Sequence, residues 1–220
     1  MQCEEVKEYY NILLKKRISL KLKRLFDVIA GVAVLIVAAI PMLVIAIKIA
    51  VESSGGVFYR QERITTYGKK FKIHKFRTMV ANADQIGSAV TVSGDSRITV
   101  TGAFLRKYRL DELPQVLDVL SGDMSFVGTR PEVTKYVRQY TKEMRATLLL
   151  PAGITSEASI RYKNEAELLD EADDVDRVYV EQVLPGKMKY NLDSLKNFSF
   201  LGDVRTMIRT VLAVLGKDYK

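Results

Sequence analysis

From Val28 to Ile47 the chain reads VIAGVAVLIVAAIPMLVIAI, twenty residues without a charge, bounded by Asp27 and Lys48. At about 1.5 Å per helical residue this run reaches about 30 Å, the thickness of a bilayer's hydrocarbon core. It lies too far along the sequence for a simple signal peptide, and no A-x-A-like cleavage site follows it. A buried core helix is the alternative, but soluble helices rarely run this long without a polar face. The flanks say more than the run. Lys15, Lys16, Arg17, Lys21, Lys23 and Arg24 precede it; Arg60, Arg63, Lys69, Lys70, Lys72, Lys75 and Arg77 follow it, against Glu62 alone in residues 60–80. Basic flanks mark the cytoplasmic side of a membrane, and a straight span would put one of them outside. Pro41 offers another course, because a proline inside a helix removes a hydrogen bond, clashes with the preceding turn, and kinks or breaks it. On these residues alone, a span and a re-entrant hairpin broken at Pro41 both stay open.

The remaining composition narrows the chemistry. Hydrophobic residues are 48% and charged residues 27% of the 220, which excludes a disordered or low-complexity chain. One cysteine, Cys3, and one histidine, His74, leave no disulfide framework and no Cys/His metal centre, so any metal must sit on oxygen ligands. Lys plus Arg exceeds Asp plus Glu by 34 − 26 = 8, which favours an anionic partner: nucleic acid, phospholipid or a phosphorylated substrate.

Outward from the apolar run, residues 1–20 read as a polar-to-basic helix leading into the membrane, with Lys and Arg reaching for headgroups. After the breaker cluster Ser53–Gly56, two strands are expected at Val57–Arg60 and Phe71–Phe76, with a turn at Tyr67–Gly68. Residues 80–100 are loop-like. Helical patterning returns at Ala103–Tyr108 and Asp111–Leu120, and Pro131 fits the first turn of a helix running to about Leu149. Residues 161–181 carry an acidic, solvated helix face. Phe200 to Leu215 is an amphipathic, basic helix suited to a membrane surface or to the core. Helices dominate, and no βαβ alternation supports a Rossmann sheet.

Four constellations carry candidate chemistry. Asp111 and Glu112, followed by Leu113-Pro114, open a helix: either a cap and a macrodipole partner, or a nucleophile and its acidic partner where backbone N–H groups favour phosphate. Gly122 to Glu132 (GDMSFVGTRPE) has a glycine at its start and another before Thr129, and Arg130 lies just before Pro131, placed to clamp phosphate oxygens or simply to sit on a surface connection. Lys72, Lys75 and Arg77 surround Phe76 on a basic strand. Asp95, Arg97 and Arg106 read as a salt-bridged loop.

These stretches occur together in an order that resembles one family. Tyr59-Arg60-Gln61-Glu62-Arg63, FKIHKFRTM from Phe71 to Met79, Asp95-Ser96-Arg97-Ile98-Thr99, LDELPQ from Leu110 to Gln115 and Gly122 to Pro131 look like the bacterial sugar transferases, the monotopic polyprenyl-phosphate phosphoglycosyl transferases. Lys23-Arg24-Leu25-Phe26-Asp27 and Asn197-Phe198-Ser199-Phe200 match as well, so the resemblance runs from about Lys21 to Leu215. It implies a helix-rich α/β domain with a re-entrant membrane helix broken at Pro41 and with interfacial amphipathic helices. Residues 1–51 would be the membrane-facing part and residues 52–220 the catalytic part of one functional unit. It implies Asp111 as nucleophile on a nucleotide sugar, most simply a UDP-sugar, with release of UMP. Glu112 is then its acidic partner, Mg²⁺ the cofactor held at Asp111 and Glu112, and Lys75, Arg77, Arg97, Arg130 and Pro131 the substrate-binding positions. A polyprenyl phosphate in the bilayer would be the acceptor, on the cytoplasmic face of a bacterial inner membrane, with no nucleic-acid partner and a homodimer left open. The chain departs from the family pattern at Ile40-Pro41, at Thr129-Arg130-Pro131, and at Gly153-Ile154-Thr155-Ser156-Glu157. A later family aspartate falls on Asn191, with Asp193 two residues on. The rival readings are a membrane-tethered nucleic-acid binder, which needs aromatics interleaved with a basic face, and a non-catalytic scaffold.

Overall fold

The computed structural model describes residues 3–83, 95–165 and 174–214. Helix α1, Glu4–Lys15, is followed after Lys16 by α2, Arg17–Glu52, a single helix of 36 residues with Pro41 inside it. Helical hydrogen bonding continues past Pro41, so the expected break is not an interruption of the helix. The helix stops at Ser53, where Ser54, Gly55 and Gly56 offer no further helix-forming side chains.

One stripe of α2 meets the rest of the protein. Lys23, Asp27, Gly31, Ala38 and Ile49 are buried, and Met42, Ile45 and Ala46 are partly so, at steps of three, four and seven residues that keep to one helix face. The other faces carry Ile29, Ile36, Val37, Ile40, Leu43 and Val51 in the open; Val37 is 79% exposed. The early part of the stripe is pinned by polar contacts. Lys23 Nζ donates to Val127 O (2.7 Å) and Asp203 Oδ2 (2.6 Å), Arg24 donates to Val119 O (2.6 Å) and Leu120 O (2.9 Å), and Asp27 Oδ1 accepts from Phe126 N (3.2 Å). Gly31 permits the close approach: a Cβ there would meet Leu120 Cδ2 at 2.9 Å.

The Lys23–Asp203 pair is largely sheltered, with side-chain exposures of 8% and 15%. Removing one member strands the other charge, which costs about 3–5 kcal/mol, whereas replacing both by apolar residues is often neutral. Lys23→Met should therefore lower the unfolding midpoint far more than the double change Lys23→Met/Asp203→Leu. Equal losses in denaturation of the detergent-solubilised single and double variants would show that the pair adds nothing.

Strands β1 (Phe58–Tyr59), β2 (Glu62–Ile64), β3 (Lys70–Lys72) and β4 (Lys75–Phe76) form two small antiparallel ladders, β1 with β4 and β2 with β3. The two expected strands are thus one interrupted hairpin, turning through Tyr67 (φ 56°) and Gly68 (φ 80°). Helix α3 (Val100–Lys107) leads to a 3-10 turn, Leu110–Gln115, then α4 (Val116–Ser121) and β5 (Met124–Val127). Strand β6 (Ala152–Thr155) pairs with β5 in parallel, an arrangement the sequence pattern did not announce. Behind it Gly128 and Gly153 face each other so closely that a Cβ on Gly153 would run into the Gly128 backbone.

The expected long helix from Pro131 to Leu149 is not formed. Residues 131–133 are irregular, α5 covers only Thr134–Val137, and a further 3-10 turn covers Met144–Leu149. The chain continues through α6 (Glu157–Arg161), α7 (Val175–Val178), a π-helical turn (Tyr179–Val183), α8 (Leu184–Lys196) and α9 (Phe200–Val214). Residues 84–94 of the expected loop, residues 166–173 of the acidic stretch, and Leu215 lie outside the described residues.

Helix α1 leads into α2 and also packs onto the core. Its Val6, Tyr9 and Leu13 pack against Ala146, Leu149, Leu195 and Phe198, and Lys16 Nζ donates to Phe198 O. Burying each such side chain is worth about 1.5–3 kcal/mol, which joins residues 4–15 to the core of residues 52–214. Helix α9 is held by Phe26–Phe200 ring contact (5.6 Å) and by Thr155–Thr210 (2.7 Å) and Arg209–Glu157 (2.6 Å) contacts. It leaves Leu201, Ile208, Val211 and Val214 exposed, and Val100 and Phe104 of α3 and Tyr108 just after it are likewise exposed at four-residue spacing.

Candidate active site

The 3-10 turn Leu110–Gln115 begins after Arg109, which holds a left-handed conformation (φ 57°) unusual for a residue with a side chain. Pro114 is the fifth residue of this turn and supplies it no N–H donor. The turn buries Asp111, Pro114 and Gln115 and packs against β4.

Glu112 lies between two cations. Lys75 Nζ and Arg130 Nη2 both donate to its Oε1 at 2.7 Å. Burial alone would raise its pKa, but Arg130 and Lys75 overcome that and hold the carboxyl well below the usual carboxylate range. Arg130 is held correspondingly more firmly protonated by Glu112. Lys75 is lowered by burial, with Glu112 opposing. The strand β4, the turn and the loop after β5 thus converge on one buried charge cluster.

Asp111 is different. It is 9% exposed, and its Oδ1 is buried without a hydrogen-bond partner. Burial raises its pKa; neighbouring Glu112 adds to the rise, while Lys75, Arg106 and Arg109 oppose it. A poorly solvated carboxylate with a free oxygen beside fixed cations is equipped to attack a phosphorus atom. It does not look like a simple helix cap, since Leu110–Gln115 has Arg109 at that position and no side-chain cap bond.

Two adjacent carboxylates also suit Mg²⁺, which takes one or two protein carboxylates together with substrate phosphates. The orphaned Asp111 Oδ1 fits that role, although among the described residues no group of three or more His, Cys, Asp or Glu side chains forms a protein-only cage.

The other expected binding residues are distributed more widely. Arg77 binds Ser53 O, Ser53 Oγ and Ser54 O at 2.7–2.9 Å, so its fork secures the exit of α2. Arg97 pairs with Asp95 (2.6 Å) and donates to Ala83 O, and Asp95 is drawn down to a pKa of about 2 chiefly by the Arg97 hydrogen bond. Pro131 offers its carbonyl to Arg63 Nη1 (3.1 Å) and so helps place Arg130 next to it. His74 clamps Asp118 by its ring (2.6 Å) and its backbone N–H (2.9 Å), a structural use of the lone histidine. Asn191 is buried in α8 against Met188, and Asp193 is exposed.

Sequence reading missed Arg106 and Arg109 as neighbours of Asp111. Arg106 Nε donates to Thr78 Oγ1 (2.8 Å), joining the FKIHKFRTM stretch to α3. It also missed the buried group behind Arg130, where Tyr179 donates to Glu132 and Lys187 donates to Glu165 (2.9 Å) and Tyr179 (3.2 Å). A buried lysine with acidic partners leaves no local pattern, because its partners come from residues far along the chain.

Comparison with known proteins gives the family. The family model described as bacterial sugar transferase matches residues 18–217. A UDP-N-acetylgalactosamine-undecaprenyl-phosphate N-acetylgalactosaminephosphotransferase of Aeromonas hydrophila is 34% identical over 88% of this chain and 44% of its own length. The uncharacterized sugar transferase EpsL of Bacillus subtilis is 34% identical over 88% of this chain and 87% of its own. A UDP-glucose:undecaprenyl-phosphate glucose-1-phosphate transferase of Xanthomonas campestris is 33% identical over 80% of this chain and 35% of its own. The chain spans less than half the length of several of the curated relatives it matches, and most of the length of others. With the match running from the first turn of α2 to the end of α9 and across the Asp111–Glu112 turn, the chain belongs to the bacterial sugar transferase family.

Proposed function

We propose that the protein transfers a sugar 1-phosphate from a UDP-sugar to a polyprenyl phosphate at the cytoplasmic face of a bacterial inner membrane, starting a glycoconjugate. The observation that carries this reading is the buried Asp111 carboxylate, with one oxygen unpartnered, next to a Glu112 held by Lys75 and Arg130. UDP-sugars and undecaprenyl phosphate are in the names of the Aeromonas and Xanthomonas relatives, which supports the donor and acceptor classes.

In the first step Asp111 attacks the phosphorus bearing the sugar. The bond from that phosphorus to the bridging oxygen breaks, UMP leaves with the bridging oxygen, and the phosphosugar remains on the carboxylate. In the second step a phosphate oxygen of the lipid attacks the same phosphorus and Asp111 leaves. Two steps let a soluble donor and a lipid acceptor use one site in turn. Lys75 and Arg130 bring fixed positive charge to the phosphoryl oxygens, and Glu112 keeps both cations in place. Asp111 and Glu112 would hold Mg²⁺, which supplies charge neutralisation to the diphosphate.

The exposed outer faces of α2, α3 and α9 fit a bilayer. The contact stripe of α2 touches one protein body from Lys23 to Ile49. This supports both ends of the helix lying on one side of the membrane, as the basic residues at both flanks also do. Cysteines at exposed positions 15 and 70 of a Cys3→Ser variant should then both resist a membrane-impermeant thiol reagent in intact cells and react after lysis. Labelling of either from outside would establish a span instead.

The activity is tested by incubating purified protein with Mg²⁺, a polyprenyl phosphate and a panel of UDP-sugars. UMP release, with a phosphosugar adduct on the protein when the lipid is omitted, is the expected result. A lack of UMP from every donor would overturn the reading.

A further inference from the structure

Among the described residues, three that are not glycine hold a positive φ: Tyr67, Asn82 and Arg109. Tyr67 belongs to the hairpin turn, and asparagine tolerates this backbone region better than other side chains do. Arg109 has neither reason. It follows Tyr108 at the end of α3, with φ 57° and ψ 21°. Helices commonly close on a left-handed residue at this place, and glycine is its usual occupant because other side chains are strained there. The backbone is fixed from both sides: Arg109 N donates to Arg106 O (3.2 Å), and Arg109 O accepts from Glu112 N (3.3 Å). The side chain offsets none of the strain from within the protein. It is exposed and makes no side-chain hydrogen bond or ion pair among the described residues.

The Glu112 N to Arg109 O bond closes the start of the 3-10 turn, so Arg109 shares that turn with Asp111. Its charge acts on Asp111 together with those of Lys75 and Arg106. Those two are engaged elsewhere, Lys75 on Glu112 (2.7 Å) and Arg106 through Nε on Thr78 (2.8 Å). Arg109 keeps its whole guanidinium fork open, a group suited to phosphate oxygens.

Two phosphorylated substrates reach Asp111 in turn under the function proposed above: a diphosphate from solution and a lipid phosphate from the bilayer. The neighbours of Arg109 decide between them. Val100, Phe104 and Tyr108 are 86%, 55% and 48% exposed at four-residue spacing, and the last two rings touch (4.9 Å between centroids). This apolar ridge favours a hydrocarbon chain and offers a soluble nucleotide sugar little. A lipid lying along it brings its phosphate to the end of the ridge, where Arg109 follows Tyr108.

We propose that Arg109 binds the phosphate of the polyprenyl phosphate acceptor and holds it next to Asp111, with the ridge of Val100, Phe104 and Tyr108 carrying the start of the lipid chain. This rests on the function proposed above and adds an acceptor contact to it. The test compares Arg109→Gly and Arg109→Lys with the wild type in the full chain, in a non-ionic detergent free of phospholipid. UMP release without lipid reads the donor half-reaction. Transfer from the preformed phosphosugar adduct to added polyprenyl phosphate reads the acceptor half-reaction. Arg109→Gly should keep or raise the melting temperature, because glycine fits the left-handed position. Its kcat/KM for polyprenyl phosphate should fall roughly ten- to a hundredfold, the loss of one charge-assisted contact. Its donor half-reaction should fall by no more than about threefold, the effect of one exposed charge screened by water. Arg109→Lys should recover part of the lipid step.

A wild-type acceptor half-reaction in Arg109→Gly would overturn the proposal. An equal loss in both half-reactions at an unchanged melting temperature would turn the guanidinium toward the donor's diphosphate and overturn the acceptor contact. A lowered melting temperature with loss of both steps would make Arg109 a structural residue. A defect seen in phosphatidylglycerol vesicles but absent in the detergent would assign Arg109 to lipid headgroups instead. If the wild type releases no UMP from any donor, the proposed function fails first and this inference with it.

Discussion

Asp111→Asn is expected to abolish UMP release, by at least roughly 10³-fold, in a protein whose melting temperature equals or exceeds that of the wild type. The two halves of this expectation come from the same environment. Asp111 is buried and its Oδ1 is unpartnered, so the charged form lacks the solvation a surface carboxylate enjoys. Its folded pKa lies above the ordinary 3.8, and at neutral pH the ionised group therefore opposes folding. An amide removes that charge and with it the nucleophile. A helix-capping aspartate behaves in the opposite way: Asn caps as well as Asp, activity persists, and stability hardly moves. The raised pKa also sets the pH dependence. UMP release should fall as pH drops through the folded pKa of Asp111, so the acid limb lies above where an unperturbed aspartate would put it. Wild-type rates in freshly purified Asp111→Asn protein, measured before deamidation restores the acid, would end the covalent mechanism.

Arg130→Ala is expected to slow the donor half-reaction roughly ten- to a hundredfold, since a lost charge-assisted contact is worth about 1.5–3 kcal/mol. Arg130 is one of two cations on Glu112 Oε1. Without it Lys75 remains, but the field that holds Glu112 low is weakened and its pKa moves back up. Activity in the variant should therefore be lost at a higher pH on the acid side than in the wild type. Arg130→Lys keeps a charge without the planar fork and should fall between the two. Separate assays of UMP release and of phosphosugar transfer to lipid locate the effect. A defect confined to the lipid step would mean that Arg130 faces the acceptor and that the donor sits elsewhere.

Much of this site was legible in the sequence because its parts are local. Asp111, Glu112, Pro114 and Gln115 fall within six residues of one turn, and the apolar run from Val28 to Ile47 announces itself by length and lack of charge. Pro131 misled for the opposite reason. Its preference for a helix N-terminus is real, but backbone hydrogen bonds from Ile64 to Glu132 and from Gly153 to Thr129 hold that segment extended, so tertiary pairing overrode propensity. The parallel pair β5–β6 was hidden because its strands are four residues each and the connection between them holds only the short helix α5 and a 3-10 turn. The resemblance implies a substrate-binding role for Arg77, whereas its bonds to the Ser53 and Ser54 carbonyls are contacts that only the folded chain brings together.

The sequence by itself determined the membrane-seeking helix, the basic character around it and the acidic pair, since each depends on the chemistry of neighbouring residues. Only the tertiary structure decided which cations reach Glu112, which oxygen of Asp111 stays free, and that α1 joins the core. Lys75 and Arg130 are 37 and 18 residues from Glu112, and no local pattern specifies a contact closed over such distances. Burial is likewise a property of the packed chain: the same aspartate in an open turn would be solvated, hydrogen-bonded by water, and an ordinary acid.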